Sequence, residues 1–235
     1  VCNAMSLVRF FLLPVHLPAG IAALALFWVP ALAKNGGPLH RAPGRWYVRA
    51  MTVICITGVV LAFNFILDGR TDTGVFLFFL GLITGTSLWN GWRVLQAKRE
   101  PARYFNRAHA AVGLLNVACG LGLIVFGVTV KAPLFYSFGP VGLIIGANML
   151  GLLRKRTDDP KFWLYEHFTG MLGSGIASHV ALLAFGGRQL FGWNMGGYAM
   201  WLWVTPVVVG NIAINALNLW YRGKSSPPHT SARRP

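Results

Sequence analysis

Seven continuous apolar stretches organise this chain, at Phe10–Ala33, Ala50–Leu67, Thr73–Trp92, Ala110–Val130, Phe135–Leu153, Trp163–Phe185 and Tyr198–Trp220. A helix needs about 20 mainly apolar residues to cross bilayer hydrocarbon, and each stretch meets or approaches that length. The runs are unbroken rather than alternating, which argues against lipid-facing strands. The pattern predicts an all-α fold, a polytopic membrane helical bundle of seven transmembrane helices. One domain then covers residues 1–223, and the Ser-, Pro- and Arg-rich segment 224–235 reads as a disordered basic tail.

Composition agrees with this reading. Of 235 residues, 55% are hydrophobic and only 11% are charged, more apolar surface than a soluble domain of this size can hide. The polar gaps supply the orientation. Lys34, Arg41, Arg45 and Arg49 follow the first stretch, and Arg93, Lys98, Arg99, Arg103 and Arg107 follow the third. Arg154, Lys155, Arg156 and Lys161 follow the fifth, and Arg222, Lys224, Arg233 and Arg234 follow the seventh. The alternate gaps keep only Arg9, Arg70, Lys131 and Arg188. Basic residues flanking membrane segments are retained in the cytoplasm, so the N-terminus is expected outside and the C-terminus inside, in a bacterial inner membrane. Trp46, Tyr47, Trp89, Trp92, Tyr104, Trp163, Tyr165, Trp220 and Tyr221 gather at the expected cytoplasmic boundary, as interfacial aromatics do. Ala31-Leu32-Ala33 resembles a signal-peptidase site, but cleavage there would invert every later gap against the charge pattern. The first stretch therefore reads as a retained helix.

A net charge of +15 raises the question of nucleic acid. The charge is divided among four short juxtamembrane segments, an arrangement that suits the lipid bilayer and its anionic headgroups and argues against nucleic acid. Cys2, Cys55 and Cys119 form no CxxC, disulfide framework or covalent haem motif.

Within the stretches, the pairs Gly81/Gly85 and Gly142/Gly146 and the row Gly170, Ser174, Ser178 are small-residue faces that let helices pack closely. Asn211, Asn215 and Asn218 share one face of the last helix. Amides facing lipid are costly, so this face should point inward, either lining a cavity or making interhelical hydrogen bonds with Asn64, Asn116 and Asn148. Acids are confined to loops, apart from Glu166 at the mouth of the sixth helix, which weighs against an ion-coupled transporter.

The histidines are the candidate chemistry. His16 and His179 each lie about six residues, or roughly 9 Å, inside the outer boundary. His40, His109 and His167 sit at three inner helix mouths. Two imidazoles at matched depth on facing helices can ligate the iron of haem b. Glycine lies four residues from His16, His40, His109 and His179, which leaves room for a flat macrocycle. On this reading His16 with His179 holds an outer haem, and His109 with His167, helped by His40 and Arg41, an inner one. The inner trio with Glu166 could alternatively ligate Zn or Fe as a metalloenzyme. The plain alternative is interfacial histidines bonded to backbone or headgroups.

The segments HLPAG and HRAPGRWYVRAM resemble a bacterial family of multi-pass membrane proteins of unknown function, which has an HRxxGRxY loop after its first helix. The matching residues are His16, His40, Arg41, Gly44, Arg45 and Tyr47, and EHFTGML adds His167 and Met171. The resemblance implies a membrane bundle in which these histidines matter, and implies no activity. Arg41 and Arg45 can clamp haem propionates, a quinone-site carboxylate or a phosphate, while Pro43 and Gly44 are expected to turn the chain into the second helix. The leading expectation is a membrane electron-transfer protein with bis-histidine haem sites, partnered by a quinone or other redox subunits. The alternatives are a protein that binds a lipid or small ligand, or scaffolds a complex, through the polar face of the last helix, and a histidine-based metalloenzyme.

Overall fold

The computed structural model describes residues 2–154, 159–183, 192 and 199–223. These form eight α-helices: α1 (Cys2–Leu32), α2 (Pro38–Leu67), α3 (Thr71–Arg93), α4 (Pro101–Tyr104), α5 (Arg107–Thr129), α6 (Pro133–Arg154), α7 (Phe162–Ala181) and α8 (Ala199–Gly223). Among the described residues there is no strand. Six helices, α1, α2, α3, α5, α6 and α8, are long and apolar enough to cross a membrane. The seventh expected span becomes α7, which falls short on apolarity because it carries Glu166, His167, Thr169, Ser174, Ser178 and His179. Its neighbours make those residues tolerable, since α7 packs on α3, α8 and α1. The tail 224–235, residues 155–158 and most of the gap Gly186–Gly197 lie outside the described residues.

One expected loop is a helix. The HRxxGRxY segment does not turn the chain; α2 begins at Pro38 and runs straight through it. Pro38 stands at the first helical position, where its missing N–H costs nothing, with extended Gly37 as the cap. Pro43 follows close enough to the start that only one intrahelical bond is lost. At its other end α2 closes with left-handed Gly69, at φ 78°, whose N–H and that of Arg70 return to the carbonyls of Ile66 and Phe65. Lys131, at φ 54°, makes the equivalent closure between α5 and α6.

The helices pack in the order α1, α2, α3, α7, α8, and the α5–α6 hairpin docks on the far side of α3. One end of the bundle gathers the basic connections: Lys98 lies over the Trp163 ring, and Asn35 donates to Tyr221. At the other end Arg9 pairs with Asp68, and Phe76 stacks on Phe135 and meets Phe138 and Trp203. Small residues set the closest approaches. A Cβ on Gly146 would stand 2.4 Å from the Gly113 carbonyl oxygen, and one on Gly170 would stand 2.6 Å from the Gly91 nitrogen. Side chains are excluded from both crossings.

Candidate functional site

Helices α6 and α8 meet where the Phe138 ring touches that of Trp203, with centroids 5.9 Å apart, and part beyond it. Between them, floored by α3 and α7, runs a cleft of about 1410 Å³, larger than the usual small-molecule pocket. Its walls change character along its length. Toward the end away from the basic connections they are apolar, with Leu80, Phe138, Val141, Ile176, Val180 and Val207. Toward the basic end they are polar, with Asn90 from α3, Asn148 from α6, Glu166 and Thr169 from α7, and Asn215 and Asn218 from α8. The gradient follows from helix direction. α3, α6 and α8 end at the basic side and α7 begins there, so their polar termini meet in one place.

The Asn stripe of α8 therefore lines a cavity. Each amide nitrogen gives one of its two N–H groups to the helix: Asn211 donates to the Val207 carbonyl, Asn215 to Asn211 and Asn218 to Ile214, at 2.7–3.1 Å. A carbonyl accepts only from N–H, so the amide orientations follow. Each of these side chains keeps its Oδ1 and its second amide N–H for the cleft. The other amides divide between the two expected roles. Asn148 lines the cleft, whereas Asn116 is buried against α3, donating to Thr86 at 2.9 Å, and Asn64 accepts from Arg9 at 2.8 Å.

Glu166 is the sole acidic or basic side chain of the lining, among the described residues. Tyr104 of α4 donates to its Oε2 at 2.9 Å, and no Lys or Arg among the described residues pairs with it. Tyr104 is completely buried beside Val94, Ala97 and Phe162. Burial, with the Glu166 carboxylate beside it, holds the phenol above its usual range, so it stays the donor. Arg93 sits over the rings of Trp89, at 4.1 Å, and Tyr104, at 4.6 Å. Its guanidinium donates to the Tyr104 carbonyl, to Asn106 at 3.2 Å and to His109 Nδ1 at 3.0 Å. Arg93 is thus a strut for the α3–α4–α5 corner rather than a lipid anchor. Asn106 caps α5 by accepting from the His109 N–H at 3.0 Å. Asn90 carries no signal in the sequence, Tyr104 and Arg93 stand there only as a boundary aromatic and a gap charge, and Asn106 before an apolar run is a recognisable helix start.

The expected histidine pairs do not assemble. His16 Nδ1 meets Thr57 Oγ1 at 2.7 Å on α2. His179 lies instead beside Phe27 and Trp28, donating to the Gly175 carbonyl at 2.8 Å and accepting from Trp28 Nε1 at 3.2 Å. Trp28 lies twelve residues beyond His16 on α1, about 18 Å of helix rise. The matched depth inferred from the sequence is therefore corrected: depth counted from two helix ends carries no information on which residues of α1 meet α7. The space beside Gly175 is also taken, since a Cβ there would meet the Phe27 ring at 2.1 Å.

The inner trio is brought only partly together. His40 and His167 rings touch edge to face, with centroids 6.1 Å apart, a direct contact that leaves no layer for a macrocycle between them. Each binds backbone, His40 to the Pro30 carbonyl at 2.9 Å and His167 to the Gly91 carbonyl at 2.8 Å. His109 is fully buried elsewhere, packed on Tyr104 at 4.7 Å and on Phe105. Among the described residues no group of three His, Cys, Asp or Glu is placed to hold a metal. The histidines thus fit neither a bis-histidine haem nor a trio-bound ion. Arg41 and Arg45 are exposed on α2 and do not line the cleft. No family model, curated protein or solved structure matches the chain.

Proposed function

We propose that this is a bacterial inner-membrane protein whose cleft between α6 and α8 binds an amphiphile drawn from the bilayer. The observation that carries the reading is the polarity gradient: apolar side chains along one half of the cleft and Asn90, Asn148, Glu166, Thr169, Asn215 and Asn218 along the other. An amphiphile has the same division, and a bilayer presents it with its head toward a surface and its tail toward the midplane. The topology belongs to the same proposal, with seven crossings, the N-terminus outside and the basic end cytoplasmic, so that the head lies at the cytoplasmic leaflet. Exposed basic residues such as Arg41 and Arg45 then face anionic headgroups around the rim.

The test is retention of amphiphiles through purification, read by native mass spectrometry. Ala147 lines the cleft wall on α6, and so does Gly151, beside which a Cβ would meet nothing within 4 Å. Ala147→Trp with Gly151→Trp should fill the polar half and strip bound amphiphile from a folded protein. His16→Ala and His179→Ala should leave retention unchanged. Equal retention by the filled variant would overturn the reading.

A further inference from the structure

The lining specifies the chemistry of the head, granted that the cleft is the ligand site. Two acceptors in its walls stand out, the Asn90 oxygen and the Glu166 carboxylate. Asn211, Asn215 and Asn218 each spend one amide N–H on the helix and keep an oxygen for the cleft. Asn90 is buried, and its Oδ1 has no partner among the described residues. An orphaned acceptor in such a place leaves an unmet demand for a donor, because a buried polar atom without a hydrogen bond is costly.

Glu166 adds a carboxylate. Among the described residues its hydrogen bond comes from the neutral Tyr104 hydroxyl and no cation compensates it. A carboxylate withdrawn from bulk water calls for a counter-charge. An anionic head would meet the like charge of Glu166 and leave the Asn90 oxygen unanswered. A hydroxyl would answer one acceptor. A primary ammonium brings three donors and a positive charge, and answers Asn90 and Glu166 together.

We therefore propose that the cleft selects an amphiphile whose head is a protonated primary amine, seated between Glu166 and Asn90. This reverses the expectation of an anionic ligand raised by Arg41 and Arg45, which lie outside the lining. It also runs against the overall charge of +15, which would by itself attract anions. A preference for ammonium would therefore report the site and not the general field.

The full-length protein in phosphatidylcholine nanodiscs provides the test. Three photoreactive dodecyl probes share a tail diazirine and differ in the head: amine, alcohol or carboxylate. Sites of labelling are mapped by peptide mass spectrometry. The amine should label residues of the cleft about tenfold more than the carboxylate, the ratio expected of one charge-assisted contact. Glu166→Gln should reduce amine labelling by a similar factor and leave the alcohol within about twofold. Equal labelling by amine and carboxylate in the unaltered protein would overturn the head-group assignment while leaving the cleft as a ligand site. Labelling that avoids the cleft with all three probes, or that the Ala147→Trp, Gly151→Trp variant does not diminish, would overturn the site itself.

Discussion

At the scale of single residues, the corner built by Arg93, Tyr104 and Glu166 connects folding to the cleft. Tyr104 is reached from a helix of four residues, and among the described residues its hydroxyl is the donor to the Glu166 side chain. Tyr104→Phe keeps the ring that packs on His109 and Phe162 and deletes that donor alone. It should lower stability by about 1–3 kcal/mol, the usual cost of leaving a buried partner unmet. Thermal unfolding in detergent measures this, and an unchanged midpoint would mean that water serves Glu166 equally well. The raised phenol pKa means that this bond persists well into the alkaline range, where an ordinary tyrosine would begin to lose its proton.

At the scale of elements, helices in this bundle meet through glycines, because apolar side chains gain little by leaving lipid for protein. Close backbone approach supplies the dispersion contacts and weak Cα–H···O bonds that favour association. The crossing of α5 with α6 is the clearest case. Gly113 and Gly120 of α5 face Gly146 and Gly139 of α6, and a Cβ on Gly139 would come within 2.7 Å of the Gly120 carbonyl oxygen. Gly146→Val should cost at least about 1–3 kcal/mol through forced separation of the pair. Gly122→Ala, on the open face of α5, should instead be neutral or stabilising by up to about 1 kcal/mol, since nothing stands within 4 Å of the new methyl. Unfolding of the two variants in the same detergent checks the contrast. Similar losses in both would show that glycine packing does not hold this hairpin together.

At the scale of the whole molecule, orientation decides which leaflet the polar half of the cleft faces. In a variant with Cys2, Cys55 and Cys119 replaced by Ser or Ala, single cysteines at Asp72 and at Lys98 report opposite ends of α3. A membrane-impermeant maleimide applied to intact cells should label Asp72→Cys and spare Lys98→Cys until the membrane is opened. The reverse pattern would place Glu166 and Asn90 at the outer leaflet. The cleft would then draw on a different pool of lipid, while its acceptor lining would stay the same.

Apolar length and charge alternation determined the helical class, the positions of the long helices and the expected sidedness, because insertion energetics acts on each segment as it enters the bilayer. Helical spacing placed Asn211, Asn215 and Asn218 on one side of α8, and that side lines the cleft. Helix geometry limited what could be read further. Pro43 and Gly44 read as a turn, yet α2 continues through them, because a proline near a helix start removes little and Pro38 had already opened the helix. Which helices would be neighbours, and at what register, was decided only in three dimensions. His16 came to face Thr57 and His179 to face Trp28, with Phe27 in the space beside Gly175. The cleft, too, exists only because α6 stays with α5 while α8 stays with α7. No local pattern encodes that gap: it is what remains when two tightly packed units leave their polar ends unjoined.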